Sequence, residues 1–165
     1  MITIAELRFT RLGSLDEAPE QIRTGRYGVI EVRDGKLSQI QFRPFPKLIS
    51  GFEAGWIGRW RHGRRRGNAC WLYFNQPRSC PEYLALTYVE STREASLSSF
   101  LECLRVLDQI AVRKGTAAIV CDVQNQRISD RLLLRLGWVA HCPHLRGRHW
   151  IKRFERSERR GCRDA

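Results

Sequence analysis

The sequence predicts an α/β fold, a single domain built on a mostly antiparallel mixed sheet that contains one βαβ crossover. Three observations carry that prediction. Asp34-Gly35 stands between two β-favouring runs, YGVIEVR and KLSQIQF, as a two-residue hairpin turn requires. Residues 96–115, SLSSFLECLRVLDQIAVRKG, place Leu97, Phe100, Leu101, Leu104, Leu107 and Ala111 on one stripe at helical spacing. AAIVCDV, residues 117–123, follows as a short, nearly unbroken apolar run, which suits a strand covered on both faces. Strand, helix and strand in that order make a βαβ unit, whose crossover is right-handed.

The elements follow in order. Residues 2–12 alternate loosely and read as a first strand. SLDEAPEQI, residues 14–22, offers Ser14 as an N-cap with early acids, so a short helix is expected there. After the hairpin, Pro44 and Pro46 break the pattern. WIGRWRHGRRRGNACWLYF, residues 56–74, reads as two strand-like runs joined by a basic, glycine-flanked connection. A second proline break, at Pro77 and Pro81, leads into EYLALTYVE, residues 82–90, another strand. Arg113 and Lys114 are cations in the last helical turn, and Gly115 is the stop.

Next, Ser129 can cap a helix whose apolar side is Leu132, Leu133 and Leu136. Gly137 supplies the left-handed residue that ends it, and Trp138 folds back before a strand over residues 138–142. The domain thus spans residues 1–154, a hairpin-rich half (1–82) and a βαβ half (83–154). Residues 155–165 form a charged tail.

Composition narrows the function classes. The 165 residues fit one domain with a real core, and 42% hydrophobic content argues against disorder. No apolar run reaches the roughly 20 residues a membrane helix needs, and no apolar secretion signal opens the chain. No membrane partner and a cytoplasmic location are therefore expected. The six cysteines are widely and irregularly spaced with no CxxC, so free thiols are expected. The net charge is +12, and all basic residues but Lys36, Lys47, Lys114 and Lys152 are arginine. That balance fits an anionic partner, because arginine forks match phosphate and carboxylate; a GC-rich genome would produce the same usage.

Three local clusters carry chemistry. Arg59, Arg61, Arg64, Arg65 and Arg66 interleave with Trp56 and Trp60, a pattern that can contact phosphates and stack on bases. The plainer reading is a solvated hairpin tip whose charge protects an edge. HCPHLRGRH, residues 141–149, brings His141, Cys142, His144 and His149 together, but adjacent residues on a strand point to opposite faces, so no metal is expected. Glu90, with Tyr88 on the same strand face, ends the strand that feeds the long helix and is a candidate general base; a solvated strand end is the bland alternative.

The βαβ unit, Asn125 and the ending Leu136-Gly137-Trp138 together resemble the carboxy-terminal half of the GNAT superfamily of N-acyltransferases, over residues 83–154. The resemblance implies acetyl-CoA or another acyl-CoA as cofactor and an amine as acceptor. It places the pyrophosphate at the start of the long helix, where free N–H groups and the helix dipole favour an anion. The matching stretch is REASLS, with Arg93 in the first position and Ser96 and Ser98 where glycine or alanine belongs. Asp122 and Val123 fall where the pantetheine arm meets the splayed strand. The position of the family's proton-donating tyrosine is Leu133, and the hairpin-rich first half departs from the family pattern. The resemblance thus implies a divergent GNAT-like N-acyltransferase. The alternative is a non-catalytic basic module that binds nucleic acid or an acidic partner through residues 59–66.

Overall fold

The structure, a computed structural model, describes residues 10–44, 67–125 and 128–154. In chain order the elements are β1 (Thr10–Leu12), α1 (Pro19–Thr24), β2 (Tyr27–Arg33), β3 (Lys36–Arg43), β4 (Ala69–Asn75), β5 (Tyr83–Ser91), α2 (Leu97–Lys114), β6 (Ala118–Asp122), α3 (Asp130–Arg135), β7 (Val139–Ala140) and β8 (His149–Arg153). The strands form one open eight-stranded sheet in the order β1-β3-β2-β4-β5-β6-β8-β7. Among the described strands only β5 and β6 run parallel; the other pairs are antiparallel. The protein is therefore α/β with a mixed, mostly antiparallel sheet, and β5–α2–β6 is the crossover.

The β2–β3 hairpin closes through Arg33 opposite Lys36, with Asp34 at φ 50° and Gly35 at φ 74°. Two consecutive positive φ values are what the type I′ turn demands, which is why Asp-Gly was legible. Helix α2 begins at its Ser96 cap, whose hydroxyl accepts from the Ser99 amide at 3.3 Å. It ends where Gly115 turns to φ 67° and the Thr116 and Gly115 amides bond back to the Ala111 and Val112 carbonyls, both at 3.0 Å. Helix α3 stops the same way. Gly137 has φ 82°, and the Trp138 amide reaches the Leu133 carbonyl at 3.0 Å. Both endings are six-residue closures that satisfy carbonyls the helix leaves open.

Helices α1 and α2 cover one face of the sheet. There Ile30, Val32, Ile40, Leu72, Phe74, Leu84 and Ile119 meet Val106, Leu107 and Ile110 of α2 and Ile22 of α1. Phe42 and Phe74 pack edge to face, with centroids 6.1 Å apart. Leu133 and Trp138 close this core beyond β6. On the opposite face Val29, Ala69, Trp71 and Tyr73 form a smaller cluster.

Several local expectations are corrected. Residues 14–17 form a turn, and α1 starts only at Pro19, because proline lacks the N–H that the first helical position leaves unsatisfied. The buried side of α2 runs through Ser99, Cys103, Val106, Leu107 and Ile110, whereas Leu97 is 58% exposed. Ser99 turns inward because its hydroxyl has partners there: it donates to Asn68 Oδ1 at 2.7 Å and accepts from the Gly35 amide at 3.1 Å. The strand expected over residues 138–142 shrinks to Val139–Ala140, since Trp138 belongs to the helix closure and Cys142 has φ 50°.

Arg113 and Lys114 do more than complement their own helix. Lys114 Nζ donates to the Ile22, Arg23 and Gly25 carbonyls at 3.0, 3.0 and 2.8 Å, at the end of α1. Arg113 donates to the Leu15 carbonyl and to Asp16 at 2.6 and 2.8 Å. The last turn of α2 thus clamps residues 15–25 to the domain. Of the first strand expected over residues 2–12, only Thr10–Leu12 is described, and the first run of residues 56–74 lies outside the described residues. No described helix is long and apolar enough to cross a membrane.

Candidate functional site

The crossover strands part company soon after they meet. β5 and β6 pair from Tyr83–Ala118 to Leu86–Cys121, while β5 runs on to Ser91. The cause is local: the register between β4 and β5 shifts between Tyr73 and Phe74, leaving Thr87 as the extra residue. A bulge bends its strand and strengthens the twist, so β5 swings away from β6. Thr87 points outward and donates to the Tyr73 carbonyl at 3.2 Å.

A pocket of about 240 Å³ opens at this parting. Ala85, Leu86, Val120, Leu145 and Trp150 supply apolar walls, and Cys121, Asp122, His141, Cys142 and His149 supply polar groups. Asp122 Oδ1 accepts from the Arg148 amide at 3.2 Å and lies 3.9 Å from His149 Nδ1. The other ring nitrogen of His149 donates to the Arg146 carbonyl at 2.8 Å. The Arg148 guanidinium turns away from Asp122, to Asp130 and to the Ile128 and Asn125 carbonyls. His141 and Cys142 face the same pocket although adjacent, because the chain has left the strand by Cys142. Among the described residues, no group of three or more His, Cys, Asp and Glu is arranged to hold a metal ion.

Burial, helped by the Asp122 charge, pushes the Cys121 thiol up to about 12. All described cysteines are free, with Cys80 exposed and Cys70 and Cys103 buried. Alkylation with iodoacetamide at pH 8 is therefore expected at Cys80 and then at half-buried Cys142, with Cys121 slower by roughly a thousandfold because so little thiolate is present. Peptide mapping by mass spectrometry checks this, and early labelling of Cys121 would contradict the stated burial.

The start of α2 is built differently from an open anion cradle. Asn68 Oδ1 accepts from the Ser96 amide at 2.9 Å, and Asn68 Nδ2 donates to Ser96 Oγ at 3.0 Å. Ser96 is thus consumed as a cap. Ser98 bonds Ser96 Oγ to Oγ at 2.7 Å but stays exposed, as does Leu97. Their amides have no acceptor among the described residues. Arg93 is exposed and forms no ion pair among the described residues. Close by, Glu94 accepts from the Gly67 amide at 2.7 Å, placing a negative charge on the same loop.

Glu90 and Tyr88 lie farther along β5, on the face opposite the helices. Glu90 is 4% exposed and sits opposite Trp71, which in turn sits opposite Glu31. Its carboxylate makes no hydrogen bond or ion pair among the described residues. Glu31 is better supported: burial opposes its charge, yet bonds from Gln39 at 2.6 Å and Arg33 at 2.7 Å hold its pKa below the ordinary value. Arg33 also stacks over Trp71, 5.7 Å from the ring centroid. At about 3.3 Å per residue, Glu90 stands about 13 Å along β5 from Leu86 at the pocket.

The structure therefore brings Asp122 into the pocket, with Val123 just beyond it, its amide on the Arg148 carbonyl at 2.9 Å. Asn125 sits in the following turn, its carbonyl accepting from the Ile128 amide at 3.2 Å. Arg59, Arg61, Arg64, Arg65 and Arg66 lie outside the described residues. Sequence reasoning missed Asn68, whose partners are 28 and 31 positions away, and the pairing of Asp122 with the 146–149 turn. Neither leaves a local pattern. No family model matches the chain, and no curated protein matches it.

Proposed function

We propose that the protein is a divergent GNAT-like N-acyltransferase that takes its acyl group from acetyl-CoA or another acyl-CoA. One observation carries the reading: a parallel strand pair that parts after four residue pairs, with a pocket at the parting and a long helix starting from the end of the longer strand. A thioester's narrow pantetheine arm needs such a gap in a sheet, and its phosphates need free amides and an arginine.

The residues fit this group in a reduced form. Arg93, the Ser98 hydroxyl and the amides of Leu97 and Ser98 would hold the pyrophosphate, with Asp122 and Val123 beside the arm. Ser96 contributes by fixing the loop. When bound, the cofactor supplies an activated acyl group. Glu90 is the candidate general base, by way of water, as the carboxylate near the end of β5 on the strand that feeds α2. Tyr88, two residues earlier on the same face, flanks that route. Leu133 is 3% exposed in the core and transfers no proton.

Calorimetric titration with acetyl-CoA, with desulfo-CoA and ATP as controls, tests the reading. Micromolar binding that weakens about tenfold in Arg93→Ala is expected, as for loss of one arginine–phosphate contact. Absence of heat and of a thermal shift at millimolar ligand overturns it. The second reading, a basic module for nucleic acid or an acidic partner, draws on the +12 charge. It predicts salt-dependent binding of single-stranded RNA that Arg93→Ala leaves nearly unchanged.

A further inference from the structure

We propose that the sheet face opposite the helices is the docking surface of residues 45–66 of the same chain, the connection between β3 and β4. The inference does not depend on the acyltransferase reading. It begins from strand direction. β1, β2, β5 and β6 point one way, and β3 and β4 point the other. The steps from β1 to β2, from β3 to β4 and from β5 to β6 all advance in the same direction along the sheet. Each joins parallel strands of one sheet, and such connections are right-handed in about 98% of cases.

Handedness then assigns each connection a face. The β1–α1–β2 and β5–α2–β6 connections join strands of one orientation, so right-handedness puts both helices on one face. They lie there together, with Ile22 of α1 and Val106, Leu107 and Ile110 of α2 in one core. β3 and β4 have the reverse orientation, so the same rule sends their connection over the opposite face. Arg43 pairs with Tyr27 and Ala69 with Arg33, so the chain must return about 20 Å along β2. A crossover needs a dozen or more residues, and residues 45–66 supply 22.

The face itself is already buried. Val29, Glu31, Ala69, Trp71 and Glu90 are 8%, 7%, 1%, 6% and 4% exposed, yet none of the described helices contributes to the cluster there. A sheet face left without a second layer would leave such side chains in water. The composition of residues 45–66 matches what the face presents. Phe45, Ile49, Phe52, Trp56, Ile57 and Trp60 offer apolar surface to Val29 and Trp71. The segment holds six lysines and arginines against Glu53 alone, a charge complementary to Glu31 and Glu90.

The test uses the full chain with photoreactive p-benzoylphenylalanine in place of Tyr73 or Tyr88, two aromatic positions half-buried on this face. Val112, 63% exposed on α2, carries the same group as a control. Both face positions are expected to cross-link within one chain to peptides from residues 45–66, at least tenfold more than Val112 does. In the unmodified, isotope-labelled chain, ring protons of Tyr73 and Tyr88 are expected to show nuclear Overhauser contacts with residues 45–66. Cross-links to residues 1–9, to residues 155–165 or to a second, differently labelled chain overturn the proposal. So does the absence of those contacts in the unmodified chain, which needs no substitution to fold.

Discussion

Replacing Trp138 with alanine is expected to lower the unfolding free energy by about 3–5 kcal/mol, the usual cost of emptying a buried large aromatic position. Trp138 is 2% exposed and among the largest fully buried side chains of the protein. It packs in the main core with Leu133 and Trp150, and its amide closes α3 on the Leu133 carbonyl. The alanine variant keeps that amide bond, so the loss reports packing alone. Since domains hold only about 5–15 kcal/mol in total, the melting temperature should fall by roughly 10 °C or more. Trp138→Phe should recover a large part of the loss, because the closure tolerates any residue that refills the space. Thermal and urea unfolding followed by circular dichroism measure both variants. A fall of less than about 1 kcal/mol for alanine would mean that Trp138 does not sit in the core as described.

The second large effect is expected at Asn68. One side chain bonds the Ser96 amide, the Ser96 hydroxyl and the Ser99 hydroxyl, and Ser99 is fully buried while also accepting from the Gly35 amide. Asn68 therefore ties together β4's entry, the hairpin tip and the start of α2. Asn68→Ala leaves the Ser96 amide and the Ser99 hydroxyl without these acceptors. Each orphaned buried group costs about 1–3 kcal/mol, and water reaches the half-buried Ser96 more readily than Ser99. A total loss of about 2–4 kcal/mol is expected, with a melting temperature lower by roughly 5–15 °C. Asn68→Asp keeps the acceptor oxygen and should fall between alanine and the native protein. Hydrogen exchange sharpens the test: amides in the first turn of α2 should lose protection in Asn68→Ala, while those near Gly115 should not. Uniform loss along the helix would point to general destabilisation rather than to an unlocked helix start.

How far the sequence could be read follows from where its information is local. The Asp-Gly turn, the Ser96 and Ser129 caps and the Gly115 and Gly137 stops were legible because each is dictated by one or two residues and their neighbours. The helical stripe was found but rotated. Periodicity pointed it through Leu97, whereas the inward position went to Ser99, whose polar atom is satisfied by partners more than 30 residues away in sequence. The candidate site divides in the same way. Arg93, Ser96 and Ser98 were named from their place before the helix, yet only Asn68 explains why Ser96 turns into the protein. Cys142 and His141 were assigned to opposite faces by strand alternation, and a positive φ at Cys142 brings both to the pocket.

By itself the sequence determined the α/β class, the hairpin, the two capped helices and the crossover between β5 and β6. These rest on periodicity, turn chemistry and capping, which act within a few residues. Tertiary structure alone decided that β1 pairs with β3 rather than β2, that Thr87 bulges and parts β5 from β6, and that Asp122 lines a pocket with His141, Cys142 and His149. Those outcomes depend on which distant backbones meet and which polar groups find partners there. A residue's neighbours in the chain do not encode that, because the free energy at stake belongs to the contact and not to either segment.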